Sequence, residues 1–240
     1  YRGYDIYGPP PPSSGGTCLV EMLNLLEPFD LRSRGRLSPD TVHLTIEAMR
    51  RAYLDRARWL GDPAFTTIPA ELTTKEYARE LAETIDPARA TPSEQLADAI
   101  PLADESPQTT HFSVVDAAGM AVSNTYTLEQ SWGSRIVVRG SGFLLNNEMG
   151  DLNPQAGHTD RVGYIGTRAN LAAPGKRMLS SQCPVIVARD GHAVLVTGSP
   201  GGRTIINTVL GVLLGVLEFE EDARTAVDAP RLHHQWQPDV

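Results

Sequence analysis

What most constrains the fold of this chain is a change of hydrophobic period near residue 109: apolar residues recur at helical spacing before it and alternate as in strands after it. Ser38-Pro39-Asp40 combines a hydroxyl cap, a proline at the first helical position and an acid in the first turn. It predicts a helix to about Leu60, with Val42, Ile46, Met49, Tyr53 and Leu60 on or near one face, stopped by Gly61-Asp62-Pro63. An earlier helix runs from Thr17 through Leu19, Met22, Leu23 and Leu26 to a stop at Pro28; Thr73 or Thr74 opens another to about Ile85, and Pro92-Ser93 a short one to about Ile100. The run Pro9 to Pro12, followed at once by Ser13-Ser14-Gly15-Gly16, reads as a rigid loop packed on the core. Nothing in this helical half gathers the residues of a catalytic site. It reads as scaffold, with Arg50-Arg51 and Arg56/Arg58 in helix-face salt bridges.

Past the boundary the pattern is that of hairpins. Phe112-Ser113-Val114-Val115 leads into the turn signal Asp116-Ala117-Ala118-Gly119, after which Met120 to Leu128 alternates again. Pro184 to Ala188 and Ala193 to Thr197, split by Arg189-Asp190-Gly191-His192, predict a second hairpin. Arg135 to Val138 and Phe143 to Leu145 read as two more strands. Residues 150–175, rich in Gly, Pro, Asn and Asp, read as a long loop whose one aromatic is Tyr164, and such loops often act as lids. Ile205 to Leu217 is apolar almost throughout, and at that length it is a core helix rather than a membrane span. Helices on both sides of paired strands predict layered α/β packing.

Charge narrows the function. The 240 residues carry a formal charge of −8, which argues against a nucleic-acid partner, since phosphate binding needs clustered Lys and Arg. Cys18 and Cys183 are two cysteines far apart, which is no disulfide framework; unlinked buried thiols are the simpler reading, and pairing stays open. Adjacent His233-His234 do not share a helix face and make no convincing metal site. The Gly198-Ser199-Pro200-Gly201-Gly202 run lacks the Lys-Ser/Thr of a phosphate loop, so neither metal nor cofactor is expected.

At the boundary stands Gln108-Thr109-Thr110-His111. Taken alone, Thr109 is an ordinary strand threonine. If the bond after Gln108 is cut, Thr109 carries a hydroxyl nucleophile and, in its own α-amine, a base titrating near roughly 7.7–8.0. Glu129, Glu148 and Asp151 are either solvated acids or carboxylates able to hold an ammonium through charge-assisted hydrogen bonds. Ser180 and Ser181 could hydrogen-bond a carboxylate. Gly201 and Gly202, between a strand and a helix, could offer backbone amides to an oxyanion.

Several blocks fall in one order: Thr109-Thr110-His111-Phe112-Ser113 with Asp116, Gly119 and Tyr126-Thr127-Leu128, then Leu144 to Met149, Lys176 to Ser181, Gly198 to Gly202, and Ala229-Pro230-Arg231. Together they resemble the small subunit of the γ-glutamyltranspeptidases, which are N-terminal-nucleophile hydrolases, while Tyr1-Arg2-Gly3-Tyr4 and Pro10 to Gly16 resemble the late large subunit. The resemblance implies an αββα sandwich, present in part: two stacked sheets flanked by helices. It implies that residues 1–108 end the large subunit and 109–240 form a small-subunit core that stops short of the family's usual end. It implies a zymogen that cuts itself between Gln108 and Thr109, then passes γ-glutamyl from glutathione or related amides to water or an amino acid. The implied roles are Thr109 as nucleophile, Thr127 orienting it, Gly201 and Gly202 as oxyanion donors, and Glu129, Glu148 and Asp151 on the substrate ammonium. Ser180 and Ser181 would hold its carboxylate. Glu129 stands where some members have asparagine, and Met178 where proline is usual, a departure that bears on the serine loop. The implied partners are the rest of the large subunit, which carries the family's substrate arginine, and the implied location is periplasmic or secreted. Cephalosporin acylase, poly-γ-glutamate depolymerase and an uncleaved binding domain are the alternatives.

Overall fold

A computed structural model of the chain describes residues 1–97, 109–155, 168–237 and 239. The helical half forms as its caps dictate. Helix α1 (Gly15–Leu26) is followed by the short α2 (Leu31–Arg34) and by α3 (Pro39–Trp59), where the Ser38 hydroxyl accepts from the Thr41 amide at 3.2 Å. Thr74 caps α4 (Lys75–Glu83) in the same way through the Tyr77 amide, and α5 (Ser93–Leu96) follows. Helix α3 has more than one buried face. Met49, Tyr53 and Leu60 are in the core and Val42 and Ile46 are half-buried, but Glu47, Arg50, Arg51 and Arg56 are buried too. Glu47 lies against both Arg50 and Arg51, as the salt-bridge reading expected.

Strands β2 (Thr110–Val115) and β3 (Ala121–Tyr126) form the first predicted hairpin, with Gly119 at φ +84° in its turn. Strands β4 (Val185–Arg189) and β5 (His192–Thr197) form the second, around Asp190 and Gly191, both at positive φ as a two-residue turn demands. Strand β1 (Asp5–Tyr7), too short to stand out in the sequence, pairs antiparallel with β4, so one sheet runs β1-β4-β5 and joins both halves of the chain. The stretches 135–138 and 143–145 are not regular strands. Only Val137 and Leu144 form a bridge, because Gly140 and Gly142 at φ +80° and +74° turn the chain back at once.

Layering follows from the faces. Val185 and Val187 of β4 join α1, α3 and α6 (Thr204–Leu217) in one apolar core, with α7 (Ala223–Asp228) packed on α6. On the other side the β2–β3 hairpin lies against β4 and β5. Ser113 Oγ donates to the Val196 carbonyl at 3.2 Å and Ser123 Oγ to the Thr197 carbonyl at 2.9 Å. Helix, sheet and second sheet are the partial sandwich expected. The hairpin's outer face, with Phe112, Val114, Val122 and Tyr126, is left about half exposed. Cys18 and Cys183 are buried free thiols.

Candidate active site

One cleft collects residues that are remote in sequence: Thr109, Thr127, Glu129, Glu148, Asp151, Ser180, Ser181, Gln182, Gly202 and Ile205 line it. These include eight of the nine expected chemical groups; the ninth, Gly201, adjoins Gly202. Gln108 and Tyr164 lie outside the described residues, as does the middle of the 150–175 loop.

Hairpin register brings the two threonines together. Thr110 faces Tyr126, so Thr109 and Thr127 are the next opposed pair, just past the last paired rung. The Thr127 hydroxyl oxygen accepts from the Glu129 amide at 2.8 Å, and its side chain hydrogen-bonds the Glu148 carboxyl. Glu129 sits at φ +70°, a region that costs a non-glycine residue on the order of 1–3 kcal/mol. Its carboxylate takes a hydrogen bond from Asn147 Nδ2 at 2.5 Å and lies over Gly150, where a Cβ would come within 2.3 Å of Glu129 Oε1. Asn147 also binds the Leu128 carbonyl and the Gln130 amide, which gives the Asn146-Asn147 block its use: it fixes the turn carrying Glu129. Burial raises the Glu148 carboxyl above the ordinary carboxylate range, against the opposing pull of hydrogen bonds from its neighbours.

The serine side is built differently. Ser180 NH donates to the Pro12 carbonyl at 3.0 Å, and Ser14 NH and Oγ both donate to the Ser180 carbonyl, at 2.8 and 2.7 Å. Ser13 Oγ donates to the Gln182 carbonyl at 2.6 Å, so the rigid proline loop is zipped along the serine loop. Three residues before Ser180, Arg177 wraps Asp62: its amide and guanidinium donate to both carboxylate oxygens, which holds Asp62 well below the usual range. Met178 thus sits in a loop fastened on both sides.

Gly202 opens the turn into α6, at φ +57°, with Gly201 at φ +126°; both backbone conformations favour glycine. The first residue of the same run, Gly198, meets the His111 ring, whose Cε1 would lie 2.3 Å from an added Cβ. That ring bonds Thr125 Oγ1 and Ser113 Oγ on the inner hairpin face, and burial lowers its pKa. His111 therefore packs between the hairpin and Gly198.

Two contributors are invisible in the sequence. Asn170, buried, donates to the Asp151 carbonyl at 2.7 Å and accepts from the Leu179 amide at 2.9 Å, tying the carboxylate side to the serine side. Arg56 reaches from α3 to Ser181 Oγ at 2.8 Å and to Ser14 Oγ at 2.9 Å. This corrects both readings of that region: Arg56 is in no salt bridge among the described residues, and the helical half does contribute to the site. Nothing local in the sequence signals a contact 125 positions away.

The comparisons speak to family and fold. The family model described as gamma-glutamyltranspeptidase matches residues 1–240. Glutathione hydrolase proenzyme of Escherichia coli strain K12 is 47% identical over 240 residues, all of this chain and 41% of the relative. The chain thus spans about two fifths of that protein's length. Gamma-glutamyltranspeptidase from Pseudomonas nitroreducens, complexed with L-DON, is 52% identical with a TM-score of 0.51 over 54% of this chain and 67% of that one. Cephalosporin acylase from Bacillus halodurans has a TM-score of 0.75 over 96% of this chain and 39% of that one; at 24% identity it speaks to the fold alone.

Proposed function

The chain belongs to the gamma-glutamyltranspeptidase family, and on that footing we propose that it carries the catalytic core of a self-processing γ-glutamyl transferase and glutathione hydrolase. One observation carries the reading: a single cleft is lined by two threonines, three carboxylates and a serine pair drawn from four separate segments. In this reading residues 1–108 end the large subunit and Thr109 begins the small one.

Maturation starts when Thr109 Oγ attacks the Gln108 carbonyl. The acyl group moves from nitrogen to oxygen, water hydrolyses the ester, and the Thr109 amine is freed. In turnover the same oxygen attacks the γ-carbonyl of the donor while the amine takes the hydroxyl proton. Backbone amides of Gly201 and Gly202 receive the developing oxyanion. The amine returns the proton to the leaving nitrogen, and water or an amino acid then releases γ-glutamyl from the Thr109 ester. Thr127 orients the nucleophile from the hairpin position opposed to Thr109. Glu129, Glu148 and Asp151 match a donor's α-ammonium in charge, and Ser180 with Ser181 its α-carboxylate. The rest of the large subunit is the proposed partner; the half-exposed Phe112, Val114, Val122 and Tyr126 face supports an extended apolar contact there.

Thr109→Ala in the protein carrying this chain tests the reading. Denaturing mass spectrometry should find wild type as two pieces split before Thr109 and the variant intact, with p-nitroaniline release from a γ-glutamyl anilide down at least about 10³-fold. A variant that still matures and turns over, or a wild type that does neither, overturns it.

A further inference from the structure

We propose that Arg56 is a positioning residue for donor binding: a buried cation behind Ser181 that aims the serine's proton into the cleft, toward the donor's α-carboxylate. The inference rests on the reading that Ser180 and Ser181 hold that carboxylate.

Arg56 is 6% exposed. A guanidinium can only donate. Its Nη2 therefore gives a hydrogen to Ser181 Oγ, at 2.8 Å, and Ser181 must accept there. The serine's own proton is left for another acceptor, and Ser181 lines the cleft. Nε meanwhile donates to Ser14 Oγ at 2.9 Å, and Ser14 Oγ passes its proton to the Ser180 carbonyl at 2.7 Å. One guanidinium thus sets the direction of hydrogen bonding through both segments that build the serine loop. A hydroxyl that accepts from a cation is a stronger donor in turn.

Charge makes the same point. Burying a cation is costly unless an anion accompanies it. The neighbouring Arg50 and Arg51 follow that rule, each lying against Glu47. Arg56 does not: among the described residues no carboxylate pairs with it, and its remaining contact is the face of the Tyr53 ring, 6.0 Å from guanidinium to centroid. Tyr53 is itself pinned, its hydroxyl donating to the Arg203 carbonyl next to Gly202. The guanidinium is held rigidly, and among the described residues no ion pair draws it away from the serine loop. An anion bound by Ser181 would lie one hydroxyl beyond this cation.

The test is steady-state kinetics on the protein carrying this chain, using two γ-glutamyl anilides, one with a free α-carboxylate and one with that group as a carboxamide. Arg56→Met should raise KM for the carboxylate donor about tenfold with kcat within about threefold, and change the carboxamide donor by less than about twofold. Arg56→Lys, which keeps the charge but not the fork, should fall between. In a Ser181→Ala background the Arg56→Met change should add less than about twofold, since the group it acts through is gone. Equal loss on both donors, a fall in kcat with KM unchanged, or full multiplication with Ser181→Ala overturns the inference and leaves a structural arginine. If Arg56→Met does not fold, the Arg56→Lys comparison across the two donors decides alone. A wild type inactive on the carboxylate donor sinks the parent reading and this one with it.

Discussion

The two sides of the cleft are held by opposite means. The serine side rests on the interior: a zipped proline loop, a buried arginine, and α3 beneath both. The carboxylate side stands on half-exposed turns, where Glu129 is held at positive φ by neighbouring backbone and by Asn147. One side is fixed by packing and the other by hydrogen-bonded turns, and Thr109 stands at the end of a hairpin between them. The difference implies that substitutions on the serine side act through the core as well as the substrate, whereas those on the carboxylate side act on substrate alone.

The largest way to break this contrast is at the point where hairpin and serine side touch. Gly198→Ala drives a Cβ into the His111 ring, two residues from Thr109. Overpacking of this kind costs about 1–3 kcal/mol, and displacement of a reacting group by about 1 Å costs on the order of 10²-fold. Melting should therefore fall by several degrees and kcat/KM by about two orders, read by calorimetry and anilide kinetics. An unchanged rate would show that the hairpin's seat on β5 does not set the nucleophile.

A smaller effect sharpens the carboxylate side. Because burial raises the Glu148 carboxyl, it takes up a proton at higher pH than an ordinary carboxylate. Donor KM should worsen as pH falls through that range. Glu148→Gln should raise KM about 10- to 100-fold, the worth of a charged hydrogen bond, flatten that acid limb, and leave melting temperature within a degree or two. A KM–pH profile of both proteins checks it.

The smallest effect sits in the core, away from the cleft. Glu21 is buried beside Asp55, and burial pushes its carboxyl well above the usual range. A folded-state pKa above the unfolded one gives stability that is complete below the unfolded value, near 4.3, and lost as pH rises through the gap. Glu21→Gln should thus melt higher than wild type at pH 8 and not at pH 4, with kcat/KM unmoved at either. A gain independent of pH would assign the effect to packing.

How much of this was legible in the chain depends on distance. The caps at Ser38 and Thr74, both hairpins and the apolar helix at 204–217 were readable because their signals are local. The cleft residues were readable only through the order of their blocks; no spacing reveals that residues 109 and 181 share a cavity. Arg56 and Asn170 had no signal, since an arginine among helical charges and an asparagine in a loop look ordinary until the chain folds. The misread strands at 135–145 failed for the opposite reason: their residue types suit strands, but two glycines in the left-handed region left no room for a ladder.

Strand β1 carries a last consequence. It comes from the start of the chain, yet among the described residues it pairs with β4 alone, and the shared core takes residues from both sides of position 109. A backbone severed before Thr109 would leave two polypeptides that cannot part without exposing that core, so the heterodimer would melt as one cooperative body rather than dissociate on dilution.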